Sequence, residues 1–169
     1  MLANELECKF VSFGEYVRRT ARERGLLEPS RSDLQDIGQE LVESDLIGFC
    51  RSVLQTVNFS PGERLVIDGI RHKQALQAVS TLSKQQPIRL IYLYAPIEIR
   101  NARRTIPRGS RNLNDEDSHK VESQTNSGLR DLADLIVNTS EKPEDALSDI
   151  LRWIEHECPE LSQIRRSKT

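Results

Sequence analysis

Apolar residues recur with two different periods along this chain, and each change of period marks a predicted change of element. CKFVS (8–12) alternates, with Phe10 and Ser12 on one face and Val11 on the other, and predicts a short strand. The first five residues of the chain read as the end of a helix. FGEYVRRTARER (13–24) then places Phe13, Tyr16, Val17 and Ala21 at helical spacing, and Gly25 stops the helix. Pro29 and Ser30 break the chain before SRSDLQDIGQELVES, where Ser32 is the expected N-cap and Leu34, Ile37, Leu41 and Val42 form one stripe. A further helix is expected from about Leu46 to Val57.

Pro61-Gly62 turns the chain into RLVID (64–68), a β-rich run, and HKQALQAVSTLSK follows as a helix carrying Leu76, Val79 and Leu82. IRLIYLYAP (88–96) is the most apolar run and predicts a central strand covered on both faces. IEIRNARR is expected on a helix, TIPRGSRNLNDED as a loop, and a helix from about His119 to Leu132 after it. DLIVNTS (134–140) gives the last strand. Pro143 suits the first turn of a final helix that carries Ala146, Leu147, Ile150, Leu151 and Ile154 on one face, and SQIRRSKT should fray. No internal repeat or linker interrupts this alternation. It predicts an α/β fold of three layers, a mostly parallel sheet of about four strands between helices, in a single domain over 1–169.

Composition narrows the function classes. The chain has 169 residues, 37% of them hydrophobic and 30% charged, so the core is modest for the length. A net charge of −2 offers no global attraction to nucleic acid or anionic lipid. No run reaches the roughly 20 apolar residues of a membrane span, and MLANELECKF has neither the basic start nor the apolar stretch of a secretory signal, so a soluble cytoplasmic protein is expected. Cys8, Cys50 and Cys158, odd in number and far apart, fit reduced thiols.

The residues that could carry chemistry gather at predicted strand ends, where ligands bind in such sheets. Gly14 and the helix after it can turn backbone N–H groups toward an anion, with Arg18 one turn along able to grip a phosphate with two prongs. Arg18 with Arg19, Arg22 and Arg24 also fits a plain solvated helix face. Asp68 could hold Mg²⁺ through water, Gly69 lets a ligand approach the backbone, and Arg71 can neutralise phosphate charge, although an ordinary strand-to-helix turn explains Asp-Gly as well. Arg100, Arg103, Arg104, Arg108 and Arg111 stand at a helix end and in the following loop, where a closing lid could clamp a phosphoryl group. His119 with Glu122, and His156 with Cys158, supply too few ligands for a metal site. Trp153 is expected to pack. No Gly-x-Ser-x-Gly, Cys-x-x-Cys or His-Glu-x-x-His occurs, so hydrolase, redox and zinc readings have no foothold.

Taken in order, FVSFGEYVRRTARERGL, LQDIGQEL, VIDGIRH, LIYLYAPIEIRNARR and LADLIVN resemble the P-loop nucleotide kinases of the adenylate kinase and dephospho-CoA kinase type, from about residue 8 to 155. The resemblance implies that Gly14, Glu15 and Arg18 form the acceptor-phosphate motif and that Asp68, Gly69 and Arg71 match the Asp-Gly motif of the family's third strand. It implies an acceptor-binding helical region at about 26–60 and a lid-like segment at about 105–120, with Asp68, Arg103 and Arg104 in catalytic roles. HKVESQ is similar to the lid-exit helix but lacks the Arg-Asp pair that many relatives have there.

Such kinases open with a strand, a G-x-x-x-x-G-K-[ST] loop and a helix, and none of the eight glycines here stands in that arrangement. The backbone nest for the donor phosphates, its lysine and the hydroxyl on Mg²⁺ are therefore missing from this sequence. In the family that strand lies between the third and fourth, so RLVID and IRLIYLY are expected to face a gap. The gap must close directly, be filled from outside, or cause aggregation.

The expectation is a truncated or degenerate kinase-like protein, through a misplaced start, a split gene or decay, unable to transfer phosphate from ATP on its own. Mg²⁺ and ATP would bind only if the missing segment is supplied. The alternative is a non-catalytic module that binds a nucleotide monophosphate or dephospho-CoA-like ligand, or that accepts a strand from another polypeptide.

Overall fold

The computed structural model describes residues 1–105 and 128–158, with residues 104 and 105 in backbone only. Its elements run α1 (Leu2–Glu5), β1 (Lys9–Ser12), α2 (Phe13–Glu23), α3 (Arg31–Gln55), β2 (Leu65–Asp68), α4 (Lys73–Leu82), β3 (Ile91–Tyr94), α5 (Ile97–Thr105), β4 (Leu135–Asn138) and α6 (Pro143–Glu157). This is an α/β protein in which, among the described residues, β1 pairs with β2 and β3 with β4, each pair parallel. The chain divides into two compact units, Ala3–Ile88, and Met1–Leu2 with Arg89–Thr169. No helix among the described residues is long and apolar enough to cross a membrane.

In the unit Ala3–Ile88 the alternation along β1 decides which face is covered. Val11 is buried in a core with Leu65 and Ile67 of β2, whereas Phe10, on the other face, stays half-exposed. Three helices supply the rest of that core. α2 buries Phe13, Val17 and Ala21; α3 buries Ile37, Phe49, Cys50 and Val53; α4 buries Ala75, Ala78 and Val79. Phe49 meets Phe13 edge to face at 5.3 Å between ring centres and lies 5.6 Å from Tyr16, so one aromatic of α3 clamps the start of α2.

The expected pair of helices after Pro29 is present as one element with a kink. Its N-cap is Ser30 rather than Ser32. The Ser30 hydroxyl accepts from the Asp33 N–H at 3.1 Å and the Asp33 carboxylate accepts from the Ser30 N–H at 2.7 Å. That reciprocal box needs an acceptor three residues on, which Ser30 has in Asp33. At Asp45 the backbone leaves helical geometry (φ −157°, ψ 83°), and its carboxylate accepts from the Gly48 N–H at 2.8 Å, capping the second half. A side-chain Cβ at Gly48 would lie 2.1 Å from that carboxylate, so the cap and the glycine go together. Arg24, the C-cap residue of α2, makes two bonds to Glu40 of α3, at 2.6 and 3.0 Å.

In the other unit the two strands are stapled at both ends. The Leu90 N–H donates to the Asp134 carboxylate at 2.6 Å while the Asp134 N–H donates to the Leu90 carbonyl at 2.8 Å. At the carboxyl end, both the N–H and the hydroxyl of Thr139 donate to the Tyr94 carbonyl, at 2.7 and 3.0 Å. β4 packs on α6, and Val137, Ala146, Ile150 and Ile154 are buried. Cys158 is fully buried just beyond α6, where its sulfur accepts from Arg89 Nε at 3.1 Å.

β3 departs from its sequence-based expectation. The run 88–96 predicts a strand covered on both faces, but β3 spans four residues, pairs among the described residues with β4 alone, and leaves Leu93 56% exposed. An apolar run marks a strand suited to full burial; it does not supply the neighbours that would bury it.

Two outcomes follow from the packing of α3. Phe49→Ala removes the ring that clamps α2 and should lower unfolding free energy by about 3–5 kcal/mol in urea titration. Burial pushes the Cys50 thiol up from 9.0 to about 11. The unfolded chain therefore loses this proton first, and stability should fall as pH rises from about 9 through about 11. Urea titrations of Cys50→Ala across that range should show a shallower fall than the parent protein.

Candidate functional site

Parallel pairing in this register carries two strand ends to one place. Ser12 ends β1, Asp68 ends β2, and the two are direct partners in the ladder. The Ser12 hydroxyl donates to Asp68 Oδ2 at 3.1 Å, and its oxygen accepts from the Glu15 N–H at 3.4 Å. One buried serine therefore links the end of β2 to the first turn of α2. The pattern Ser12-x-x-Glu15 is a helix-start signal that could have identified this cap from sequence.

Beyond Asp68 the chain turns through Gly69 at φ +85°, a left-handed conformation that side chains resist. The α-carbon side of Gly69 faces the start of α2, 3.6 Å from the Gly14 nitrogen and 3.7 Å from Phe13 Cβ, measured from the position a Cβ would occupy. Gly14 is exposed, and Arg18 Nη1 lies 3.7 Å from the corresponding position on it. The Arg18 guanidinium is thus folded back along the first turn of the helix, where it forms an ion pair with Glu15. Arg71 is exposed and makes no hydrogen bond or ion pair with any described residue.

Of the residues singled out by the sequence, Gly14, Arg18, Asp68 and Gly69 come together here, with Arg71 three residues along the chain from Asp68. Their neighbours on α2 do other work. Arg19 sits over the Tyr16 ring at 4.8 Å and pairs with Glu23 at 3.6 Å, as a solvated helix face does. Asp68 brings a single carboxylate, with one oxygen committed to Ser12, and no group of three or more potential metal ligands occurs among the described residues.

The arginines expected over donor phosphates lie in the other unit. Arg100 and Arg103 are exposed on α5, and Arg104 belongs to the same helix. Arg103 directs Nη2 at the carbonyls of Thr139, Ser140 and Glu141, the latter two at 3.3 and 3.2 Å. Its guanidinium therefore fastens α5 to the turn after β4, a use that the sequence did not signal. Arg108, Arg111, His119, Glu122 and the lid-like segment expected at about 105–120 lie outside the described residues, apart from the last residue of α5.

A groove of about 500 Å³ runs along β4 against α6, lined among others by Asn138, Asp149, Arg152, Trp153 and His156. Asp149 and Arg152 are within 3.4 Å of each other, so charge there is largely internally matched. Trp153 is half-buried, in keeping with a packing role.

The close fit at Gly69 gives a direct test. Gly69→Ala forces a side chain into left-handed backbone beside the Gly14 nitrogen and should cost about 1–2 kcal/mol in urea titration, while a glycine-to-alanine change at exposed Gly128 should cost less. No family model matches this chain, and neither any curated protein nor any solved structure matches it.

Proposed function

We propose that this chain is the acceptor side of a P-loop nucleotide kinase-like fold of the adenylate kinase or dephospho-CoA kinase type, binding the phosphate of a nucleotide monophosphate or dephospho-CoA-like ligand. One observation carries this reading: the ladder pairing of Ser12 with Asp68 sets the exposed first turn of an eleven-residue helix, Arg18 and the Asp68-Gly69 turn around a single spot. Backbone N–H groups at that turn and the Arg18 guanidinium are both suited to phosphate oxygens, and Arg71 adds a second cation nearby in sequence. In this reading Gly14 and Gly69 allow close approach, and Arg18 and Arg71 neutralise charge.

The same reading makes this polypeptide unable to transfer phosphate from ATP by itself. Phosphoryl transfer is almost entirely positioning and charge neutralisation. The sequence has no Gly-Lys-Ser or Gly-Lys-Thr with which to cradle a triphosphate. Asp68 alone would be a thin anchor for Mg²⁺, which also draws on substrate phosphates for its shell. Mg²⁺ and ATP would enter only with a strand and loop supplied by another polypeptide segment. That second role, strand acceptance, is favoured by the two-strand sheets, each of which leaves strand edges without a strand neighbour among the described residues.

Calorimetry with AMP and with dephospho-CoA tests the phosphate site. Binding of at least one, weakened tenfold or more in Arg18→Ala, is the expected outcome. Arg18→Lys should also weaken it, because an ammonium cannot make the two-pronged contact. Equal affinity in Arg18→Ala and the parent protein would remove the assignment, and Mg²⁺-dependent ATP turnover by the purified chain would refute the non-catalytic half of it.

A further inference from the structure

The cation that the phosphate reading depends on most is already occupied. Arg18 pairs with Glu15 of the first turn of α2, and its Nη1 atom lies 3.7 Å from where a Cβ on exposed Gly14 would stand. Glu15 is itself exposed, and its backbone N–H is the one that Ser12 caps. Arg71, by contrast, is uncommitted among the described residues. The two arginines of the site therefore differ in the resting state: Arg71 can meet a ligand at once, whereas Arg18 must first leave a carboxylate.

We infer that Glu15 is a built-in competitor for the phosphate site, a carboxylate that holds Arg18 across Gly14 until a phosphate displaces it. The inference rests on the phosphate-binding reading and concerns how the same site is regulated. Without a phosphate the Glu15 carboxylate engages one guanidinium nitrogen and keeps it close to the helix start. An incoming phosphate takes Nη1 from Glu15 and can engage a second guanidinium nitrogen as well, and Glu15 swings into solvent. The exchange makes binding a substitution of one anion by another, so its affinity is lower than the site's charge would otherwise give. Glu15 and Arg18 are both substantially exposed, so the effect is a modest one, on the scale measured for exposed ion pairs.

Glu15→Gln keeps the size of the side chain and removes the competing charge. With AMP as the probe, it should tighten binding by about two- to fivefold. Glu23→Gln, which removes the same charge from the same helix but frees Arg19 instead, should leave affinity within about 1.5-fold of the parent protein. In an Arg18→Ala background, titrated at AMP concentrations high enough to reach saturation, Glu15→Gln should produce a smaller gain than in the parent protein. No tightening by Glu15→Gln, a matching gain from Glu23→Gln, or an undiminished gain without Arg18 would overturn the inference. If Arg18→Ala itself binds AMP as the parent protein does, the phosphate reading fails as a whole, which separates that failure from the failure of the competitor role.

Discussion

Everything in the unit Ala3–Ile88 depends on β1 lying parallel to β2 with Ser12 opposite Asp68. A shift of one residue would turn Val11 out of the core and bring half-exposed Phe10 in, so the buried face fixes the register. Once that register is set, both strands release their chains at the same end. Ser12 must then begin a helix while Asp68 must turn away from it. The serine hydroxyl serves both, donating to the carboxylate and accepting from the helix. Gly69, in left-handed backbone, completes the turn close against Phe13 and Gly14. The candidate site is thus a consequence of core packing one residue upstream, at Val11 and Ile67, rather than a feature added to a finished fold.

The sheets themselves are less complete. Two strands each is the least that can be called a sheet, and isolated pairs are marginal in water without packing on helices. The first pair has that support on one face, from α2, α3 and α4. The second relies on α6 and on end staples, with Asp134 at one end and Thr139 at the other, while Leu93 and Ile136 remain 56% and 44% exposed. Exposed apolar side chains on short, open strands are what a strand-accepting protein would show, and also what aggregates. This tension belongs to the α/β pattern of the chain and does not depend on the identity of any ligand.

How much of this was legible in the sequence depends on the range of the interaction involved. Helix and strand positions were legible because they follow from local period: β1, α2, β2 and α4 stand within a residue or two of where apolar spacing puts them. The meeting of Gly14 with Gly69 was legible only as the general rule that strand ends gather ligands. One local detail was misread. Ser32 has the right residue type for an N-cap, but Ser30 has Asp33 three positions on to complete the box, and the pair outcompetes the single residue. The charge of Arg103 was visible in the sequence but its three carbonyl acceptors were not, because they come from a turn 36 to 38 residues away. The apolar run at β3 announced burial, yet the partners for burial are a property of the assembled sheet, which a single segment cannot encode.

The charges at the candidate site are balanced by its own residues. Arg18 and Arg71 bring two positive charges near the strand ends, and Asp68 and Glu15 bring two negative ones. Asp68 is tied to neutral Ser12 and Glu15 to Arg18, so each carboxylate is held by a neighbour within its own element or ladder rung. A cluster of bare cations would repel itself and strain the helix start, where the dipole is already positive. The carboxylate of Glu15 relieves both effects at the first turn of α2. On the proposed phosphate-binding reading, the ion pair that balances charge at the start of α2 is the same one that a phosphate would displace, so the pair's contribution to stability opposes affinity.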